Sequence, residues 1–269
     1  MELVAIDLDG TLLNSHHQVP EANSKALRRL NQNGVEIVIA TGRSVISASE
    51  IVQELGVSAH ILALNGTYIT KISETGQMTA IRRKLIGREI VKKALKIAEA
   101  LEITFIASNE TGSDRVMFKQ APEVVQEFLK DRPDLRVITK KEMDQKIEDP
   151  STEYLKIAFT DENVENLYTL RQALSQVGLY TIFSDTYYIE LVPEGINKGE
   201  ALSYLCQCLK IPLEKTLAFG DQENDIEMLQ IAGLGIAMGN ANKHVKEVAN
   251  KITGTNNEAG VAEVLNEYF

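Results

Sequence analysis

Both ends of the chain repeat one pattern: a short, almost wholly apolar run followed by a segment with apolar residues at helical spacing. Leu3-Val4-Ala5-Ile6 precedes Ala22, Ala26, Leu27 and Leu30, closed by Gly34. Val35 to Ile39 precedes Ile46, Ile51 and Leu55, closed by Gly56, and Ile61 to Leu64 follows. At the far end Ala201, Leu202, Leu205 and Leu209 lead to Thr216 to Phe219. Then come Ile226, Met228 and Leu229, the run Leu234 to Ala237, and a last helix through Val261, Val264 and Leu265. Apolar strands without strict alternation are buried on both faces, which is the signature of a parallel sheet covered by helices. The two ends therefore predict one doubly wound, Rossmann-like α/β core built from residues 1–83 and 191–269.

Residues 84–190 read differently. Longer polar helices (Glu89 to Glu102, Glu123 to Lys130, Glu162 to Val177) alternate with strands of mixed faces, such as Tyr154 to Phe159 and Tyr187 to Leu191. Mixed strands suit an antiparallel sheet with helices on one side, so an inserted α+β cap domain is expected. A chain of 269 residues has room for both.

The net charge of -10 opposes binding to a phosphate polymer. The short basic run Arg82-Arg83-Lys84 reads as a solvated edge, so no nucleic-acid partner is expected. Met1 to Ile6 lacks a basic leader, and no apolar stretch approaches the ~18 residues of a membrane span. The expected location is cytoplasmic, with no membrane partner. Cys206 and Cys208, two apart on a helix, diverge and read as reduced core or half-buried thiols.

Asp7-Leu8-Asp9-Gly10-Thr11 follows the first strand, at the edge where open α/β sheets bind ligands. Two carboxylates there repel an anion unless a cation neutralises them, and a hard divalent ion with oxygen ligands is the natural neutraliser. Residues two apart on an extended segment share a side, so Asp7 and Asp9 are expected to face one pocket; a plain polar turn is the other reading. Gly220-Asp221-Gln222-Glu223-Asn224-Asp225 repeats the placement after another strand, with helix capping as the alternative use of its Asp and Asn. Thr41-Gly42-Arg43 ends the second strand and offers a hydroxyl, an open backbone N–H and a cation to a phosphoryl group. Lys198 leads a helix and offers a second cation. Asn65-Gly66 lines an entrance or simply turns the chain.

These four segments, Asp7 to Leu12, Thr41 to Arg43, Lys198-Gly199 and Gly220 to Asp225, resemble in order the signature of the haloacid dehalogenase superfamily. The insertion resembles the C2B cap of its Cof-type (IIB) branch. Ala237 to Ala241 and the tail through Gly260-Val261 are similar to that branch, and the closing segments to its sugar phosphatases. The resemblance implies a phosphatase acting on small phosphorylated metabolites, sugar phosphates foremost, with Mg²⁺ as cofactor. It implies Asp7 as nucleophile and Asp9 as acid and base. It implies Mg²⁺ held by Asp7, the Asp9 carbonyl and Asp221 with help from Asp225. Leu8 (through its N–H), Thr41, Gly42, Lys198 and Asn224 would hold phosphoryl oxygens, with Arg43 beside them, and the cap is expected to close over the site.

A phosphomutase of the same superfamily shares the first step and remains the nearest alternative. A phosphate-storing receiver also carries several acids and one lysine, but lacks a large insertion. A dinucleotide-binding oxidoreductase needs G-x-G-x-x-G at the first turn, where this chain has acids.

Overall fold

The run Leu3–Ile6 becomes β1, with all four side chains buried, as an unalternating apolar strand in the middle of a sheet requires. In the computed structural model, which describes residues 1–119 and 134–269, the chain continues through α1 (Glu21–Gln32), β2 (Glu36–Ala40), α2 (Val45–Leu55) and β3 (Ala59–Ala63). An antiparallel pair follows, β4 (Tyr68–Ile72) and β5 (Met78–Arg83). Next come α3 (Arg88–Ala100), β6 (Thr104–Asn109), β7 (Gly112–Val116), β8 (Leu135–Val137), α4 (Lys140–Glu148), β9 (Lys156–Thr160), α5 (Val164–Gln176), β10 (Ile182–Asp185) and β11 (Tyr188–Leu191). The last stretch holds α6 (Lys198–Leu209), β12 (Thr216–Gly220), α7 (Ile226–Ile231), β13 (Leu234–Ala237), α8 (Lys243–Val248), β14 (Lys251–Ile252) and α9 (Gly260–Tyr268). Two units result: Met1–Arg83 with Gly195–Phe269, and Lys84–Glu194.

The first unit is one sheet in the order β14-β13-β12-β1-β2-β3-β4-β5. Its pairs are parallel from β14 to β3 and antiparallel from β3 to β5. On one side Ala201, Leu202, Leu205 and Cys206 of α6 pack with Met228 and Leu229 of α7 against Leu3, Ala5, Val38 and Ala218 of the central strands. The hairpin β4–β5 has no counterpart in the sequence reading because β5, at the sheet edge, is largely exposed and shows no apolar run. Arg83 and Lys84 are exposed, but Arg82 is not: its guanidinium is buried against Glu200, which corrects the expectation of a solvated basic edge at that residue. Cys206 is buried and Cys208 exposed, and both are free thiols.

The second unit has the sheet order β10-β11-β9-β6-β7-β8, antiparallel except for the β7–β8 pair. Phe105, Ala107, Val116, Ile157, Phe159, Ile189 and Leu191 alternate along their strands, so they share the face that packs on Val91 and Leu95 of α3, Met143 and Ile147 of α4 and Leu167, Leu170 and Leu174 of α5. Phe105 and Phe159 meet edge to face at 5.8 Å. Asp114 lies opposite Ala107 and so points into this apolar layer, where Arg136, Lys146 and the Tyr154 hydroxyl satisfy it. Burial would raise its carboxyl, but the bonds from Arg136 and Tyr154 outweigh burial and hold it below the ordinary range. The expected helix Glu123 to Lys130 lies outside the described residues. No helix among the described residues is long and apolar enough to cross a membrane.

Truncating a fully buried aromatic leaves a cavity as well as lost transfer energy. Phe159→Ala is therefore expected to destabilise the protein by about 3–5 kcal/mol, read from urea denaturation followed by circular dichroism.

Candidate active site

β1 and β12 are neighbours, and the chain winds away from them in opposite directions. The crevice at their carboxyl ends is thus a switch point of the sheet, where ligands bind in open α/β folds. Asp7 follows β1 and Asp221 follows β12, and the Asp7 N–H donates to the Phe219 carbonyl at 3.1 Å. The backbone then doubles back, with the N–H groups of Leu12 and Leu13 donating to the carbonyls of Asp7 and Leu8 at 3.1 and 2.9 Å. Gly10 sits at φ +79°, and a Cβ there would come within 2.3 Å of Asp221 Oδ2. Glycine alone allows both the turn and this approach to the second acid. The Thr11 hydroxyl donates to Asp221 Oδ1 at 2.8 Å.

Lys198 opens α6 and is completely buried. Its ammonium lies 2.6 Å from Asp7 Oδ1 and 2.6 Å from Asp225 Oδ1. The other Asp225 oxygen accepts the N–H groups of Asp221 and Gln222 at 2.9 and 3.0 Å, so this carboxylate ties the loop after β12 to the lysine. Asp7, Asp221 and Asp225 each present an oxygen within 4.8 Å of the others, and all three are buried.

Burial raises the Asp7 carboxyl well above its ordinary value; Lys198 offsets part of that, and Asp225 and Asp221 add to it. Asp221 is pushed up to about 7, first by burial and then by Asp225. For Lys198, burial works against the charge, but Asp225 and Asp7 outweigh it and hold the ammonium above lysine's ordinary range. Three carboxylates against one ammonium leave the cluster short of positive charge. An all-oxygen donor set with that deficit fits a hard divalent cation, so the cluster can hold a metal ion.

Asp9 stands apart from the cluster. Its half-exposed carboxylate is held in a fork by Arg43, with Nε to Oδ2 at 2.7 Å and Nη2 to Oδ1 at 2.5 Å. The shared side expected for Asp7 and Asp9 presumed an extended segment, and the hydrogen-bonded turn begins at Asp7 itself. The Leu8 side chain is buried and its carbonyl accepts from Leu13.

Thr41 is buried, and its hydroxyl oxygen accepts the Arg43 N–H at 3.1 Å, which leaves the hydroxyl hydrogen to donate elsewhere. Gly42 lies between them. The carbonyls of Thr41 and Arg43 accept the N–H groups of Asn65 and Leu64 at 2.9 and 3.0 Å. Asn65-Gly66 is accordingly a buried turn and not an entrance. Asn65 Oδ1 accepts from Asn224 Nδ2 at 3.1 Å, while the buried Asn224 Oδ1 has no partner among the described residues. One Asn224 amide hydrogen is thus engaged and one remains.

Thr11 and Asn240 contribute to the site without a role expected from the sequence. Asn240 Nδ2 donates to the Gly10 carbonyl at 2.8 Å and so braces the acidic turn from the end of β13. The rule that selected Asp7 and Asp221, polar residues just past an apolar strand, also covers Asn240.

A family model described as haloacid dehalogenase-like hydrolase matches residues 4–265. The chain is 31% identical over 270 residues to the 5-amino-6-(5-phospho-D-ribitylamino)uracil phosphatase YcsE of Bacillus subtilis, covering 100% of this chain and 96% of that one. It is 31% identical over 242 residues to the HMP-PP phosphatase of Cronobacter sakazakii, covering 89% of this chain and 84% of that one. Among solved structures, a haloacid dehalogenase-like hydrolase from B. subtilis is similar with a TM-score of 0.85 at 28% identity, with 100% of both chains covered.

The raised carboxyls make a stability prediction. Asp221 titrates near 7 in the folded chain and near 4 when unfolded, so between those values the metal-free fold binds the extra proton and loses stability as pH rises. In chelator, Asp221→Asn should melt increasingly above the intact protein as pH goes from about 5 to about 8. A divalent cation should raise the melting temperature of the intact protein at the upper pH and not that of the variant. Differential scanning fluorimetry reads both, and a Tm gap independent of pH would contradict the assignment.

Proposed function

The chain belongs to the haloacid dehalogenase-like hydrolases and is a phosphatase; from that premise we propose that it hydrolyses small phosphorylated metabolites through an aspartyl-phosphate on Asp7, with Mg²⁺ as cofactor. The observation that carries the reading is the buried Lys198 ammonium shared by Asp7 and Asp225 beside Asp221. Asp7 Oδ1 is bound to Lys198, so Oδ2 is the oxygen left to attack phosphorus. The new Asp7–phosphorus bond forms as the ester bond breaks, and the leaving oxygen takes a proton from Asp9. In the second displacement a water oxygen attacks phosphorus, its proton returns to Asp9, and the Asp7 carboxylate is released. Both proton and nucleophile are restored.

In the structure Arg43 occupies Asp9. A phosphate ester offers Arg43 other oxygens to pair with, which frees Asp9 for the leaving group. Leu8 N–H, Gly42 N–H, the Thr41 hydroxyl, the second Asn224 amide hydrogen and Lys198 are fixed donors that would hold phosphoryl oxygens as charge shifts in the transition state. Mg²⁺, held by Asp7, the Asp9 carbonyl and Asp221 with Asp225 beside them, would supply the positive charge that lets a carboxylate approach an anionic phosphoryl group.

Sugar phosphates are the substrates proposed first. The relatives described above act by name on a phosphoribitylamino uracil and on HMP-PP, small phosphorylated molecules both. The test is a panel of sugar phosphates, nucleotides and phosphorylated cofactors, assayed for inorganic phosphate with and without Mg²⁺. Release of phosphate over many turnovers is expected; an isomeric phosphate ester as product would mark a phosphomutase. Asp7→Asn should lower kcat by at least about a thousandfold while leaving the circular dichroism spectrum unchanged. Near-native turnover in that variant would remove Asp7 as nucleophile.

A further inference from the structure

We propose that Arg82 is the positioning residue for Lys198, acting through a clamp on the first turn of α6; the proposal rests on the functional reading above. Arg82 belongs to the edge strand β5, yet its side chain is 7% exposed. Nη1 and Nη2 reach Glu200 Oε1 and Oε2 at 2.6 Å each, and Nη2 also donates to the Gly66 carbonyl at 3.1 Å. The guanidinium carbon lies 4.4 Å from the centre of the Tyr204 ring. One planar cation therefore joins the turn after β3 to the first two turns of α6. A two-point fork fixes direction as well as distance, which a single ammonium does not.

Glu200 stands two residues beyond Lys198, and its N–H donates to the Asn197 side-chain oxygen at 2.7 Å, so both belong to one capped turn. Lys198 must meet Asp7 and Asp225 together at 2.6 Å, and a small shift of that turn breaks one contact or both. Gly66 completes the seat: a Cβ on it would come 2.5 Å from Ala201 Cβ and 2.9 Å from the Asn197 carbonyl, so the turn and the helix start touch directly. The chain leaves this unit after Arg83 and re-enters it at Gly195. No adjoining strand of its own sheet leads into α6, and the clamp ties its first turn to the strand that precedes the excursion.

The experiment uses the full chain with Arg82→Ala and Glu200→Gln, the latter keeping the shape of the side chain. Misplacing a reacting group by about 1 Å can cost up to about 10²-fold, so Arg82→Ala should lower kcat by about tenfold or more. KM should move by less than about threefold, because the loss falls on the transition state. Millimolar guanidinium ion should restore most of the lost kcat and leave the intact protein unchanged.

Amine acetylation read by mass spectrometry gives a second readout that needs no activity. Lys198 should be protected in the intact chain and labelled in Arg82→Ala. Lys156, buried against Glu190 in the other unit, should stay protected in both and so separate a loosened turn from unfolding. Native kcat and a protected Lys198 in both variants overturn the clamp. Inactive Asp7→Asn beside fully active Arg82→Ala rejects the clamp alone, whereas active Asp7→Asn rejects the functional reading and leaves the labelling result to judge the clamp.

Discussion

A lysine ammonium with no exposure to water, shared between two aspartates, is the constraint around which the first unit is arranged. Removing such a charge from water costs several kcal/mol unless its partners are close and themselves satisfied. Each partner here is anchored by backbone. Asp7 is held at the end of β1 by the Phe219 carbonyl, and Asp225 by the N–H groups of Asp221 and Gln222. The strand order, with β1 beside β12, is what brings these anchors within reach of one side chain.

The turn through Leu64, Asn65 and Gly66 joins the remaining pieces. Leu64 and Asn65 adopt left-handed conformations with φ of 53° and 57°, a strain that neighbouring bonds must hold in place. Those bonds run to Arg43 and Thr41 through backbone, to Asn224 through the Asn65 amide, and to Arg82 through the Gly66 carbonyl. Four segments distant in sequence thus share one rigid corner. Rigidity of this kind keeps donors aimed without reorganisation when charge moves.

The second unit stands on its own core and on its own polar network. Asp114 in an apolar layer is tolerable because Arg136, Lys146 and Tyr154 surround it, and burial together with Asp114 pushes the Tyr154 hydroxyl far up, so it remains a donor. The mixed faces of Tyr154 to Phe159 announced an antiparallel sheet with helices on one side, and β9 through Lys156–Thr160 is that strand, shifted by one or two residues. β6, β7 and β10 were not legible. Their polar positions, such as Ser108, Ser113 and Asp114, break the apolar period, and only tertiary partners account for their burial.

By itself the sequence determined the fold class and the family, and it picked out Asp7, Thr41, Lys198 and Asp221 as strand-end or helix-start residues. Those features are local: an apolar run, a turn glycine and a capping residue each act within a few positions of themselves. Tertiary structure alone decided which charge meets which. Asp9 went to Arg43 and not to the acidic cluster, Arg82 went inward to Glu200, and Lys198 met Asp7 across 191 residues of chain. Pairings of that separation are set by how strands are ordered in the sheet and by the cost of leaving a buried charge unpaired, and neither leaves a periodic mark in the sequence.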